Sequence, residues 1–368
     1  MYAPNFRSPG NGAGGRANEG RRELAHSTPA SAYLAARLTY RAHYAPDGER
    51  AVLSHLHALL GAHFPRSLVT SYYISLKANP FVVLTGREGA GKAAFVGGFA
   101  NALLGAGSDQ FVTIGSARWA QRSGERSYYL GLHERFGSLQ FLETLQEAAA
   151  PEHAGKLYML MLRGLSIEEL HHYFNEMLHV GPEGENLLRL PGMPADRPLP
   201  LPPNILITAT LHLPRLASRD DQEAMRHVGQ IEFGADLRAP DVTPAPPTPP
   251  PVGFQRTMLA AAVRGPAAVR ERLEAILGPR ELRRLGPSAD LAAALWRAGL
   301  PLNSQLFEDV LAFVANSFDG QGRGLFDPER AIRNAQLAFD CQLAQRVLGR
   351  LNGRRVGLRR RLAALAEL

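Results

Sequence analysis

Between Ser31 and Lys77, apolar residues recur every three or four positions, at Leu34, Leu38, Val52, Leu56, Leu59 and Leu60. That period predicts short helices, broken near Pro46 and Pro65. The pattern then changes. Short continuous apolar runs predict strands at 81–85, 111–114, 157–162 and 205–210, with a last one near 230–233. Helix-period segments fall between the first four, at 92–104, 138–149 and 166–178. Strands that are apolar on both faces and alternate with helices predict a parallel sheet covered on both sides. The tract 239–252, APDVTPAPPTPPPV, can be neither helix interior nor strand and predicts an extended polyproline spacer. Beyond it the period is helical throughout, at 254–264, 266–277, 279–284, 289–297, 303–317, 328–350 and 354–366. Residues 1–28 are rich in Gly, Asn, Arg and Ser, have almost no periodicity, and predict a disordered tail.

The expected organisation is thus a tail (1–28), a helical lead-in (29–77), an α/β core (78–238), a Pro-rich linker (239–252) and an all-α part (253–368). An apolar fraction of 45% allows a full core, and no run is long enough to span a bilayer. The opening stretch lacks the charged-then-apolar order of a secretory signal, so the expected location is the cytoplasm, with no membrane partner. Cys341 is the single cysteine, which excludes an internal disulfide and a cysteine-based zinc site. The histidines at 55, 57, 63, 171, 172 and 179 read as core or surface residues rather than metal ligands.

Net charge is +7 with a pI near 9.8, compatible with a polyanionic partner. Nearly all of it is arginine, densest at Arg354, Arg355, Arg359, Arg360 and Arg361 on the last predicted helix. An aromatic and basic patch, Tyr128 and Tyr129 among Arg122, Arg126 and Arg135, suits DNA, a partner or a subunit interface. Only Lys77, Lys92 and Lys156 are lysine.

Lys92 stands at the one place where lysine is demanded by chemistry. The run FVVLTGREGAGKAAF carries an apolar strand directly into Gly-x-x-x-x-Gly-Lys and a helix. Such a loop works because backbone N–H groups, unencumbered at glycines, face phosphate oxygens while the next helix offers its positive end. The candidate binding residues are Gly86, Arg87, Gly89, Ala90, Gly91, Lys92 and Ala93. The loop is incomplete. A working version follows the lysine with Ser or Thr, whose hydroxyl holds Mg²⁺. Ala93 and Ala94 have no ligand to offer, and Glu88 brings a carboxylate into the anion cradle. Hydrolysis also needs a carboxylate pair at the end of a neighbouring strand. Here LYMLML ends in Arg163-Gly164, and the next acids, Glu168 and Glu169, read as helix N-terminal residues behind a Ser166 cap.

These residues carry a family resemblance, over about residues 68–366. YMLMLRGLSIEELHHYFNEML resembles the second nucleotide motif of the McrB-like branch of AAA+ NTPases, with His172, Tyr173 and Phe174 matching a His-Tyr-Phe run. In that match Arg163 and Gly164 take the places of the acidic pair, and Ser166 that of an Asn. LPPNILITATLHL resembles the next strand, with Thr210 matching and His212 where a sensor Asn is expected. EAMRHVGQIEF resembles the Leu-Asp-Arg-Ala segment, with Met225, Arg226 and His227 in place of its first three residues. AGLPLNSQLFEDVLAFVANSF resembles the lid helix, with Gln305 where a second sensor Arg is expected, and 338–353 resembles the closing helix. Trp119 and the pair Leu130-Gly131 resemble features of the second strand and its loop.

Losses are confined to the positions that would touch metal, water or γ-phosphate: Ala93, Arg163, Gly164, His212, His227 and Gln305. The apolar scaffold around them is kept. What the resemblance implies is a P-loop AAA+ core with a helical lead-in and lid and no catalytic residues, holding ATP or GTP weakly or without Mg²⁺. It also implies a structural or regulatory subunit of a homo- or hetero-oligomeric ring, with a nuclease subunit, an active AAA+ protein and DNA as candidate partners in a restriction or defence assembly. Two other readings stay open: an active NTPase whose acids come from Glu168, Glu169, Asp220-Asp221 or a neighbouring subunit, and a basic DNA-binding adaptor using the terminal arginines.

Overall fold

The computed structural model describes residues 48–115, 141–165, 167–171, 178–180, 186–188, 199–211, 228–234, 253–286 and 304–347, with the single positions 237, 250 and 293. It opens with α1 (Gly48–Leu60) and α2 (Arg66–Ala78), the latter entered at Pro65. Pro at this boundary fits because the first turn of a helix needs no N–H donor there. Then come β1 (Phe81–Gly86), α3 (Lys92–Leu104), β2 (Phe111–Gly115), α4 (Phe141–Ala149), β3 (Tyr158–Leu165) and α5 (Ile167–His171). Three short strands follow, β4 (Leu178–Val180), β5 (Asn186–Leu188) and β6 (Leu199–Pro200), then β7 (Ile205–Leu211) and β8 (Gly229–Phe233). The remaining helices are α6 (Phe254–Ala261), α7 (Pro266–Leu277), α8 (Pro279–Arg284), α9 (Ser304–Asn316) and α10 (Ala331–Gln342), the last running into a π turn at Leu343–Val347.

The five long strands form one sheet in the order β2-β3-β7-β1-β8, and every neighbouring pair is parallel. The expected parallel sheet is present. β1 sits between β7 and β8, with Leu84 opposite both Thr210 and Ile231. Alternate residues serve opposite faces. Val82 and Leu84 join the large apolar cluster on the α2 and α3 side, whereas Phe81 and Val83 join a smaller one with Leu160, Leu162, Ile207 and Ala209. Two-sided burial explains why these strands read as continuous apolar runs.

The α2 helix is enclosed on all sides, with every residue from Val69 to Lys77 buried, although its sequence is rich in Ser, Thr and Tyr. Four of its polar side chains, Thr70, Ser71, Tyr72 and Lys77, find partners on other elements. Thr70 meets His57 Nε2 at 2.9 Å, Ser71 Oγ meets Cys341 Sγ at 3.3 Å, and Tyr72 Oη meets Thr208 Oγ1 on β7 at 2.7 Å. Lys77 pairs with Glu49 of α1, both side chains fully buried, and donates to Asn316 O at the end of α9 at 2.8 Å. Arg272 of α7 binds the carbonyls of Ala315, Phe318 and Asp319 at 2.8–3.1 Å around the same junction. Helices from both ends of the described chain are therefore wired to α2, and α1, α2, α3, α6, α7, α9 and α10 share one apolar cluster. α1 and α3 approach closely at Gly98, where a Cβ would lie 2.8 Å from Leu60 Cδ2.

Differences from expectation are local. The helix expected over 166–178 is described only for α5, and at Leu178 the chain is already a strand, the first of an antiparallel sheet ordered β4-β5-β6. Strands of two or three residues are too short to show a period in the sequence. The helix expected over 328–350 begins at Ala331 and turns π-helical at Leu343. The tail, most of the Pro-rich tract, the helix over 354–366 and most of that over 289–297 lie outside the described residues. No helix among the described residues is long and apolar enough to cross a membrane.

Candidate phosphate-binding site

The chain leaves β1 at Gly86, exposes Arg87, Glu88 and Gly89, buries Ala90, and starts α3 at Lys92 behind Gly91. Three of these positions have left-handed or related backbone: Gly86 at φ +133°, Gly89 at +77° and Gly91 at +87°. Only glycine accepts such values without strain. Gly86 is fixed by space as well, because a Cβ there would stand 2.7 Å from Phe233 O on β8. The N-terminus of α3 has no side-chain cap, so the first-turn amides that a helix leaves without internal acceptors are offered at the loop.

Lys92 is 4% exposed, and its Nζ donates to Gly86 O at 2.8 Å and Arg87 O at 2.6 Å. The lysine thus bridges the loop and holds it in its turn. Burial pulls the Nζ pKa below the ordinary lysine value, with Glu88 opposing in part. Together the residues set a buried cation beside the uncapped start of α3, an arrangement suited to a phosphate.

The strand order places this cradle at the carboxyl end of β1. From β1 the chain passes through α3 to the far edge strand β2, and reaches β8 on the other side only later. Open α/β sheets bind ligands outside the carboxyl ends of strands at such a reversal. Arg163 lies near the carboxyl end of β3, two strands from β1, exposed, where the pairing of β3 with β7 shifts register. Beside it Gly164, at φ +68°, donates its N–H to Thr210 Oγ1 at 2.9 Å. Thr210 is committed to holding the two strand ends together, a role the sequence did not signal.

A metal does not fit this set. Ala93 after the lysine carries only a methyl group and Arg163 a guanidinium, and neither can ligate a metal. Glu169 is buried on α5, while the side chain of Glu168 lies outside the described residues, as do Ser166, His172, His212, Asp220, Asp221, His227, Trp119, Tyr128 and the terminal arginines. No group of metal-binding side chains occurs among the described residues.

Gln305 is not brought to the cradle. Its Nε2 donates to Asp309 Oδ1 at 3.2 Å, and Asp309 is bound by Arg346, which also donates to Val228 O. Val228 precedes β8, at the amino end of the sheet, whereas Gly86 is level with Phe233 at the carboxyl end. Five strand steps, ~17 Å, separate the two levels. His55 and His57 sort as structural residues. His55 bonds Ala102 O at 3.2 Å and stacks edge-on with Phe254, and His57 bonds Thr70.

No family model matches the chain, and no curated protein is similar to it. Among solved structures it is similar to C. elegans PCH-2, at 13% identity, over 84% of this chain and 70% of that one, with a TM-score of 0.21. A superposition that poor carries neither fold nor function across.

Proposed function

We propose that this chain is a catalytically degenerate P-loop protein of the AAA+ type that holds nucleotide phosphates without Mg²⁺ and acts as a structural or regulatory subunit of a ring. The observation that carries the reading is the pairing of a glycine-and-lysine loop at the carboxyl end of β1 with side chains beside it that cannot ligate a metal. The Gly86–Lys92 loop has the backbone, the lysine and the central position in the sheet. Ala93 and Arg163 remove the two kinds of ligand that a hydrolytic metal needs. Arg163 deepens the reading, since an exposed cation at the same edge of the sheet supplies charge that a metal would otherwise bring to a polyphosphate. The family branch, the lead-in (29–77) and lid (253–368) as working parts, the ring and a place in a defence assembly are part of the proposal and rest on the resemblance alone.

The test is a titration with fluorescent ATP and GTP analogues, with and without Mg²⁺, alongside Lys92→Ala and Arg163→Ala. Saturable binding that ignores Mg²⁺ and weakens about tenfold or more in either variant is expected, since a charge-assisted contact contributes roughly 1.5–3 kcal/mol. Strong Mg²⁺-dependent binding with turnover would overturn the reading, and no binding would reduce the loop to a structural turn.

A further inference from the structure

One groove of the helical region has apolar walls and no helix over it among the described residues. It encloses about 330 Å³ between the end of α7, α8 and one side of α10, with Leu277, Leu285, Ile332, Ala335, Phe339 and Leu343 along its walls. The α10 residues fall at i, i+3, i+7 and i+11, a continuous stripe. Ile332 is 49% exposed, unusual for a large aliphatic residue at the mouth of a core. The groove is also acidic on one side. Asp340 lines it, and burial alone pushes its carboxyl above the ordinary value, with no cation contributing. Glu281, on the opposite wall, pairs with Arg284.

The chain continues from the π turn at Leu343–Val347, at one end of this groove, for twenty-one further residues, 348–368. The first six, LGRLNG, carry an Asn-Gly turn signal, and six residues are a length that can join antiparallel helices. The next stretch, 354–366, has helical period with Leu358, Leu362 and Leu365 in one stripe, flanked by Arg355 on one side and Arg361 on the other. Thirteen residues of helix span ~20 Å, and the stripe from Ile332 to Leu343 spans ~17 Å. Apolar face, length, reversal and charge all match.

We infer that residues 354–366 fold back antiparallel to α10 and seat Leu358, Leu362 and Leu365 in the groove, with a flanking arginine on Asp340. In this register Leu358 lies near Leu343, Leu362 near Phe339 and Leu365 near Gln336. The occupant is the chain's own end rather than a second copy, and the site is independent of the phosphate loop.

Hydrogen exchange on the full chain and on Leu358→Asp/Leu362→Asp tests this. Amides of 335–343 are expected to exchange about tenfold faster or more in the variant, since two leucines leave an apolar wall, with those of α2 unchanged. A Cys341→Ser chain carrying Gln336→Cys and Leu365→Cys is the second measurement, and oxidation is expected to give a disulfide at monomer mass. Unchanged exchange in the variant overturns the proposal. A disulfide formed only between chains also overturns it and assigns the groove to a second copy.

Discussion

At the scale of single residues, the lysines are the most telling. In an arginine-rich chain two of the three, Lys77 and Lys92, are almost fully buried. A point-like ammonium fits a small cage of carbonyls or a single carboxylate, where a planar guanidinium would not. Burial raises the Glu49 pKa and lowers that of Lys77, while their mutual attraction opposes both shifts. Removing one partner strands the other charge. Lys77→Ala or Glu49→Ala is expected to lower unfolding free energy by about 3–5 kcal/mol, and Glu49→Leu/Lys77→Met by clearly less than the sum, in urea titrations. His57 supplies a pH dependence. Burial, then Arg66, holds its imidazole below the ordinary pKa. The unfolded chain takes up a proton below about pH 6.5 while the folded one resists, so stability falls as pH drops through that range. The urea midpoint of His57→Gln is expected to fall less than that of the parent between pH 7.5 and 5.5.

At the scale of elements, the long strands and the loop were legible because their signals are local. β1, β3 and β7 are apolar runs with two covered faces, and Gly86, Gly89 and Gly91 are spaced by the backbone they must adopt. What could not be read depends on distant partners. Nothing in RSLVTSYYISLKA marks α2 as enclosed, because its hydroxyls become tolerable only when His57, Thr208 and Cys341 arrive from elsewhere. Arg163 and Gly164 stand out in the sequence only through the resemblance, and the hydrogen bond from Gly164 to Thr210 was not legible at all. The Gln305 position shows the opposite failure, since the resemblance sets it beside the phosphates and Asp309 holds it at the other end of the sheet. Asn316 is another unannounced joint. It accepts from Val263 N at 2.9 Å and donates to Val263 O at 2.7 Å, which fixes α9 to the α6–α7 connection. Asn316→Ala leaves both groups buried without partners and is expected to cost about 2–4 kcal/mol, read as a lowered urea midpoint with unchanged slope.

At the scale of the whole molecule, the helices before β1 are not an appendage. Val52, Leu56, Tyr72 and Leu76 are wholly buried in the cluster that also holds Phe95, Val310 and Phe313. A chain beginning at Asn79 would expose that surface together with the underside of α9. It is expected to run in the void volume on gel filtration, where the full chain elutes as a defined species. The same wiring gives any ligand at the loop a mechanical route outward. Gly86 touches Phe233, β8 begins beside the carbonyl that Arg346 holds, and Arg346 stands at the far end of α10.

The scarcity of lysine has a practical side. An amine-reactive reagent meets Lys156 on the surface, whereas Lys77 is sealed beside Glu49 and Lys92 is clasped by two carbonyls. Apart from the terminal amine, native protein therefore offers one open handle for a dye or a tether, placed before β3 and away from the loop. Mass spectrometry of slow acylation at Lys92 then becomes a direct gauge of how often the loop opens, and of whether a phosphate has settled in it.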